Sequence, residues 1–194
     1  MINRIIGVLT LKAPIYKEIA EDTNATSEAA MIFIVCTILN GFFTRLVVDG
    51  QFHIVRAVIG AIWGVVIGMI GWVVTAWVLS FVAKALEGKT DFGEMLRVTG
   101  YVSVFSLIGV INIFAAFGAL ACVTGLISFA VAILNLIGYL IGIREAAEFD
   151  TGKAVITAIL AVIVNFLIVV VIGGLIFGGL AALFAGAAAV TGGM

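Results

Sequence analysis

Residues 98–143 form a run of 46 positions without an acidic, basic or histidine side chain. As a single α-helix rising about 1.5 Å per residue, the run would reach roughly 69 Å. That is more than twice the ~30 Å hydrocarbon core of a bilayer, so the run has to fold back on itself. Asn112, Gly118, Thr124 and Gly125 put the expected turn among residues 112–125. Three further charge-free runs cover residues 29–44, 57–83 and 154–194. Hydrophobic residues make up 64% of the chain and charged residues 11%, against about half and a quarter in soluble domains. One water-facing fold could not bury that much apolar surface. Inside lipid, backbone polar groups find partners only in helices or closed barrels. Long apolar runs without two-residue alternation exclude a barrel.

The expected fold is therefore an all-α integral membrane protein of five transmembrane helices, over residues 29–48, 57–83, 98–117, 122–143 and 154–176. These form a single membrane domain, 29–194, behind an N-terminal interfacial arm, 1–28. The Gly- and Ala-rich stretch after residue 176 either extends the last helix or adds a sixth span. In the arm, Ile2, Ile5, Ile6 and Leu9 mark one face of a helix. Pro14 suits the opening of a second helix, and Arg4, Lys12 and Lys17 are expected to reach phosphate headgroups. With five spans, Arg4, Lys12, Lys17, Lys84, Lys89, Arg97, Arg144 and Lys153 fall on one side and only Arg45 and Arg56 on the other. The positive-inside rule puts the N-terminus in the cytoplasm and the C-terminus on the far side. A prokaryotic plasma membrane is the expected location.

In lipid, helices associate through close packing at small residues. Gly60, Gly64 and Gly68 recur every four positions, as do Gly138 and Gly142, and Gly174 and Gly178. They are read as helix-packing or partner-interface positions. No ionisable side chain interrupts a central span, which argues against a pump or coupled transporter. Asn135 and Asn165 are the deep polar groups, suited to an interhelical hydrogen bond or to a solute or lipid contact. Gly88-Lys89-Thr90 lacks the earlier glycine of a phosphate loop, since Ala83 stands there. Asp91 and Glu94 instead have capping-box spacing. Glu145, Glu148 and Asp150 read as a solvated loop, with Asp150 or Thr151 capping the next helix. His53 has no base or nucleophile partner in sequence. No cofactor, no metal, no nucleic-acid partner and no catalysis are expected.

Two stretches carry more than composition. Leu86-Glu87-Gly88-Lys89-Thr90-Asp91-Phe92-Gly93-Glu94-Met95-Leu96-Arg97-Val98-Thr99-Gly100-Tyr101 is one. Ile141-Gly142-Ile143-Arg144-Glu145-Ala146, continued by Thr151-Gly152-Lys153-Ala154-Val155, is the other. With the lead-in around Leu11 to Ile19, the chain resembles the Yip domain family, membrane proteins named for interaction with Ypt/Rab GTPases, in its short prokaryotic form. The resemblance implies a five-span, non-catalytic protein with an interacting role. Where members often carry a proline after the Gly-Tyr, Val104 and Phe105 stand here, so a straighter third span is expected. The long acidic arm of eukaryotic members has no counterpart, so a trafficking role is not carried over.

The reading that follows is an adaptor or accessory subunit that packs with other membrane proteins or with itself in the lipid bilayer. Lys89, Phe92, Arg97, Tyr101, Arg144, Glu145 and Lys153 are its expected cytoplasmic partner loops. The alternative is a channel or facilitator for a small neutral solute or lipid.

Overall fold

The structure, a computed structural model, describes residues 1–48, 51–108, 110 and 120–191, with side-chain surroundings given through residue 171 apart from Val48 and Ala121. Seven α-helices and one two-residue hairpin make up the described elements: α1 (Ile2–Leu9), α2 (Ala13–Glu21), α3 (Ala25–Leu46), β1 (Val47–Val48), β2 (Gln51–Phe52), α4 (Ile54–Ala85), α5 (Phe92–Val102), α6 (Ala121–Ala146) and α7 (Thr151–Thr191). The protein is an all-α membrane protein. Among the described residues, four helices are long and apolar enough to cross a bilayer: Ala25–Leu46, Ile54–Ala85, Cys122–Ala146 and Thr151–Val171. The expected third span, 98–117, starts in α5. There the α-helix closes at Val102 and tightens to 3₁₀ turns over residues 103–108. A straight helix was expected because no proline follows Tyr101. The Ser103 hydroxyl instead donates to the Gly100 carbonyl at 2.6 Å, a local bond that competes with the helical ladder. Residues 109 and 111–119, with most of the expected turn, lie outside the described residues. The C-terminal stretch continues α7 as one helix to Thr191. The surroundings of Gly174 and Gly178 lie outside the described residues.

Local chemistry starts and stops these helices as their residues dictate. Pro14 occupies the first turn of α2, where its missing N–H costs nothing. Asp91 caps α5: its carboxylate accepts from the Glu94 N–H at 2.7 Å, and Glu94 accepts from the Asp91 N–H at 3.1 Å. Asp150 accepts from the Lys153 N–H at 3.1 Å and so opens α7. In the turn after α4 the left-handed residue is Glu87, at φ 66°, rather than its glycine neighbour Gly88. Gly88 instead makes room for a neighbour: a Cβ there would lie 2.6 Å from the Phe149 ring.

α3 and α4 form an antiparallel helical hairpin closed by β1 and β2, with Val47 opposite Phe52 and Val48 opposite Gln51. Their backbones touch at Gly41 and Gly60. A Cβ on Gly41 would fall 2.7 Å from the Gly60 carbonyl oxygen, and one on Gly60 would fall 2.8 Å from that of Gly41. Gly64 and Gly68 continue the same face of α4. A Cβ on Gly68 would meet Thr37 at 3.0 Å, whereas one on Gly64 would make ordinary contact at 3.7 Å. On α6, Gly138 lies against Phe105 and Tyr16, and Gly142 against Val98.

The buried core lies where α2, α5 and the adjoining ends of α3, α4 and α6 meet. Tyr16, Ile19, Met95, Tyr101 and Phe105 are fully buried there. Trp72 stacks on Phe33 with ring centroids 4.8 Å apart and donates from its indole nitrogen to the Thr99 hydroxyl at 3.0 Å. The outer faces of α4, α6 and α7 are the reverse: Ile62, Ile67, Leu126, Phe129, Val162 and Phe166 are all exposed. So much exposed apolar surface is stable only against lipid. Exposed Trp63 and Trp77 stand 14 positions apart on α4, roughly 21 Å along its axis, as aromatic side chains near the two interfaces would. Of the two cysteines, Cys36 is buried and Cys122 is exposed on α6.

The glycine contact yields an ordered prediction. Gly41→Ala and Gly60→Ala each force backbone apart and should cost about 1–3 kcal/mol. Gly64→Ala, with room for a methyl group, should cost little. At Gly71 nothing lies within 4 Å, so Gly71→Ala should be neutral or stabilising. Thermal midpoints of the four variants in one mild detergent check the order; a Gly60→Ala midpoint at or above that of Gly64→Ala would contradict it.

Candidate functional site

Among the described residues, polar side chains gather at the end of the bundle carrying α1 and α2 and in a set of cavities among the long helices. At the first end, the loops after α4 and α6 are bound together. The Lys89 N–H donates to the Ala147 carbonyl at 3.1 Å, and Lys153 Nζ reaches the Leu86 carbonyl at 3.4 Å. Glu148, left-handed at φ 52°, lies 3.8 Å from Lys17 of α2 and 3.4 Å from Lys89. Arg144 holds Glu145 at 2.7 Å. Lys89, Arg144, Glu145 and Lys153 are thus brought onto one surface, with the Lys89 side chain 83% exposed. Phe92 is set apart from them. It lines a small cavity of about 200 Å³ beside Val73, Val74 and Trp77, on the flank of α4.

Arg97 and Tyr101, expected on the partner surface, are buried instead. Arg97 Nε donates to the Ala20 carbonyl at 2.9 Å, and the guanidinium also reaches the Thr26 hydroxyl at 3.4 Å. Ala20 lies in the last turn of α2, so a cation sits on the carbonyl-rich terminus of that helix. Gly93, one turn before Arg97, leaves space for the guanidinium: a Cβ there would lie 3.1 Å from Nη1. The Tyr101 hydroxyl donates to Glu28. Both side chains hold the N-terminal helices to α5, which no spacing rule announces. Arg4, expected to reach headgroups, is likewise taken inside the chain. It pairs with Asp22 at 2.7 Å, Glu18 at 2.8 Å and Glu28 at 3.5 Å. The hydrogen bond from Arg4 is the main reason the Asp22 carboxyl titrates below its ordinary range, helped by the Asn24 N–H.

The cavities lie deeper. A groove of about 550 Å³ runs between α4, α6 and α7, mostly apolar but carrying Thr75, Ser128, Asn135, Tyr139 and Asn165. Asn165 is satisfied across the helices: its Oδ1 accepts from Thr75 at 3.4 Å and its Nδ2 donates to the Ala161 carbonyl at 2.9 Å. Asn135 has no hydrogen-bond partner among the described residues. With Tyr139 it also borders a second, more polar chamber of about 430 Å³, lined by Thr37, Asn40, Ser103 and Arg45 among others. The Asn40 amide donates to the Ser106 carbonyl at 2.9 Å. A third cavity, about 460 Å³, lies at the opposite end from α1 and α2 and holds Arg45, Arg56 and Trp63. The polar chamber and Arg45's place in it were missed in the sequence, because Thr37, Asn40 and Ser103 are scattered through apolar runs with no motif spacing.

Among protein families, the Yip1 domain matches residues 6–173 of the chain. No curated protein and no solved structure matches it.

Two predictions follow from the N-terminal contacts. Arg97→Leu strands the Ala20 carbonyl and should lower stability by about 1–3 kcal/mol, while Lys89→Leu, on the surface, should change it little; detergent melting of both variants decides. Asp22 has a folded pKa depressed by Arg4. Its contribution is therefore complete above its ordinary unfolded value of roughly 4 and is lost as pH falls through the lower folded one. Asp22→Asn should flatten the acid side of the stability profile, and an unchanged profile would remove Asp22 as its source.

Proposed function

The chain belongs to the Yip1 domain family, and from that premise we propose that it acts as a non-catalytic adaptor or accessory subunit for other membrane proteins. The observation that carries the reading is the clamped pair of loops after α4 and α6. There Glu148 meets Lys17 of α2 and Lys89, and Lys153 reaches back to the Leu86 carbonyl. A surface already ordered before binding loses less entropy when a partner docks. Alternating charges on it favour recognition through complementary potential. The glycines Gly60, Gly64, Gly68, Gly138 and Gly142 have a smaller part in this proposal, since their contacts are with other helices of the same chain.

The proposal includes a topology. Five spans, with residues 98–117 as the third, bring the loop surface into the cytoplasm of a plasma membrane and the C-terminus to the far side. The arm 1–28 lies at the cytoplasmic interface, where α1 exposes Ile2, Ile6 and Leu9 toward the acyl boundary. Eight basic residues against two support this orientation.

One set of single-cysteine proteins tests both parts. In a background with Cys36 and Cys122 replaced, Lys89→Cys should resist an impermeant maleimide applied outside intact cells, and Gly50→Cys should react. Loaded with a photocrosslinker in native membranes, Lys89→Cys should then capture one discrete protein, identified by mass spectrometry. Outside labelling at position 89 would reverse the orientation. Capture of lipid alone at that position would remove the adaptor reading.

A further inference from the structure

Three of the five arginines are taken up by acceptors within the chain: Arg4 by three carboxylates, Arg97 by the Ala20 carbonyl, and Arg144 by Glu145. Arg45 and Arg56 stand apart from these three. Among the described residues neither has a hydrogen-bond or ion-pair partner, yet both line the same 460 Å³ cavity, walled by Ile59 and Trp63. Two guanidinium groups facing one space repel each other, and the low dielectric near lipid strengthens that repulsion. An anion between them would turn it into attraction. Arginine also presents its donors in a fork that fits a phosphate.

The backbone is shaped to hold Arg45 there. A Cβ at Gly60 would collide with Arg45 Cδ and stand 3.2 Å from its Nε. The side chain therefore lies across α4 at a point where only a hydrogen atom leaves room. Gly60 serves the helix contact and the arginine at once. From Arg45 the lining changes in order. The polar chamber follows, with Thr37, Asn40 and Ser103. Asn135 and Tyr139 border both that chamber and the apolar groove against α7. Charged, then polar and uncharged, then apolar is the order of a phosphate, an ester-linked backbone and an acyl chain.

We propose that this series of cavities binds one membrane phospholipid. Arg45 and Arg56 take the phosphate, the chamber at Asn40 and Asn135 takes the glycerol-ester region, and the groove between α6 and α7 takes the acyl chain. A free phosphate ion shares the headgroup chemistry, but it would leave the polar chamber and the apolar groove unused. The site goes beyond the adaptor reading and does not depend on it: its residues lie at the other end of the bundle from the clamped loops.

The test titrates the full-length protein, stripped of lipid in mild detergent, with phosphatidylglycerol and counts bound lipid by native mass spectrometry. One lipid should bind with saturation. Arg45→Gln and Arg56→Gln should each weaken it about tenfold or more, and Asn135→Leu should weaken it less. Lys12→Gln removes the same charge from the exposed first loop and should leave binding unchanged. Melting curves confirm that each variant is folded; should one not be, the other arginine variant still reads the site. Millimolar inorganic phosphate should not displace the lipid. If phosphate does displace it, the site is for a free anion and the lipid assignment is wrong. Equal losses in Lys12→Gln and Arg45→Gln would reduce the effect to net charge and overturn the site.

Discussion

A buried guanidinium held by a carbonyl and a hydroxyl organises the end of this molecule that carries its core. Arg97 sits in α5 and donates to the last turn of α2, with Thr26 of α3 at its side. One cation thereby joins three helices. A buried charge is tolerated when enough acceptors replace its water. Here a carbonyl, a hydroxyl and the negative end of a helix do so. The aromatic core packs around the same point, with Tyr16, Tyr101 and Phe105 fully buried. Lose the arginine, and the last carbonyls of α2 lose the donor that ties them to α5.

The rest of the bundle obeys a different rule. Away from that core the helices have little to gain from excluding water, because lipid already surrounds them. Contact then depends on how closely backbones approach. Gly41 and Gly60 settle this for α3 and α4. The protein thus combines a polar, salt-linked half, built much like a soluble protein, with a half held by small residues. The two halves differ in what would disturb them: acid for the first, added side-chain volume for the second.

What the sequence made legible follows the same division. Charge-free runs marked four of the long helices, since the lipid requirement acts on composition alone. The Asp91–Glu94 box, the Asp150 cap and Pro14 in the first turn of α2 were legible because a helix end is decided by three or four neighbouring residues. The destination of Arg97 was not, because its partner Ala20 is 77 positions away and contributes only a carbonyl, which every residue has. Gly41 escaped notice for a related reason: it stands alone in α3, and its meaning comes from Gly60 on another helix. The shortness of α5 was hidden as well, since the apolar run continues past Ser103 while its backbone leaves the α-helix. The candidate partner residues divided likewise. Lys89 and Lys153 do face outward at the loops, while Arg97 and Tyr101 were read as surface only because they lie beside them.

The brevity of the connection between α3 and α4 bears on how the molecule is made. Gly41 and Gly60 are close in the chain, and a two-residue hairpin joins their helices. That pair can close as soon as both helices have left the ribosome, using contacts it carries within itself. The helices made first have no such freedom. α1 and α2 leave synthesis before α5 exists, and the guanidinium that α2 needs is 77 residues behind its acceptor. The surface of α6 that covers Tyr16 comes later still. Through that interval the two amphipathic helices have only the membrane surface to rest on. The earliest part of the chain is thus among the last to reach its place, and the bilayer serves it as a waiting surface during biogenesis.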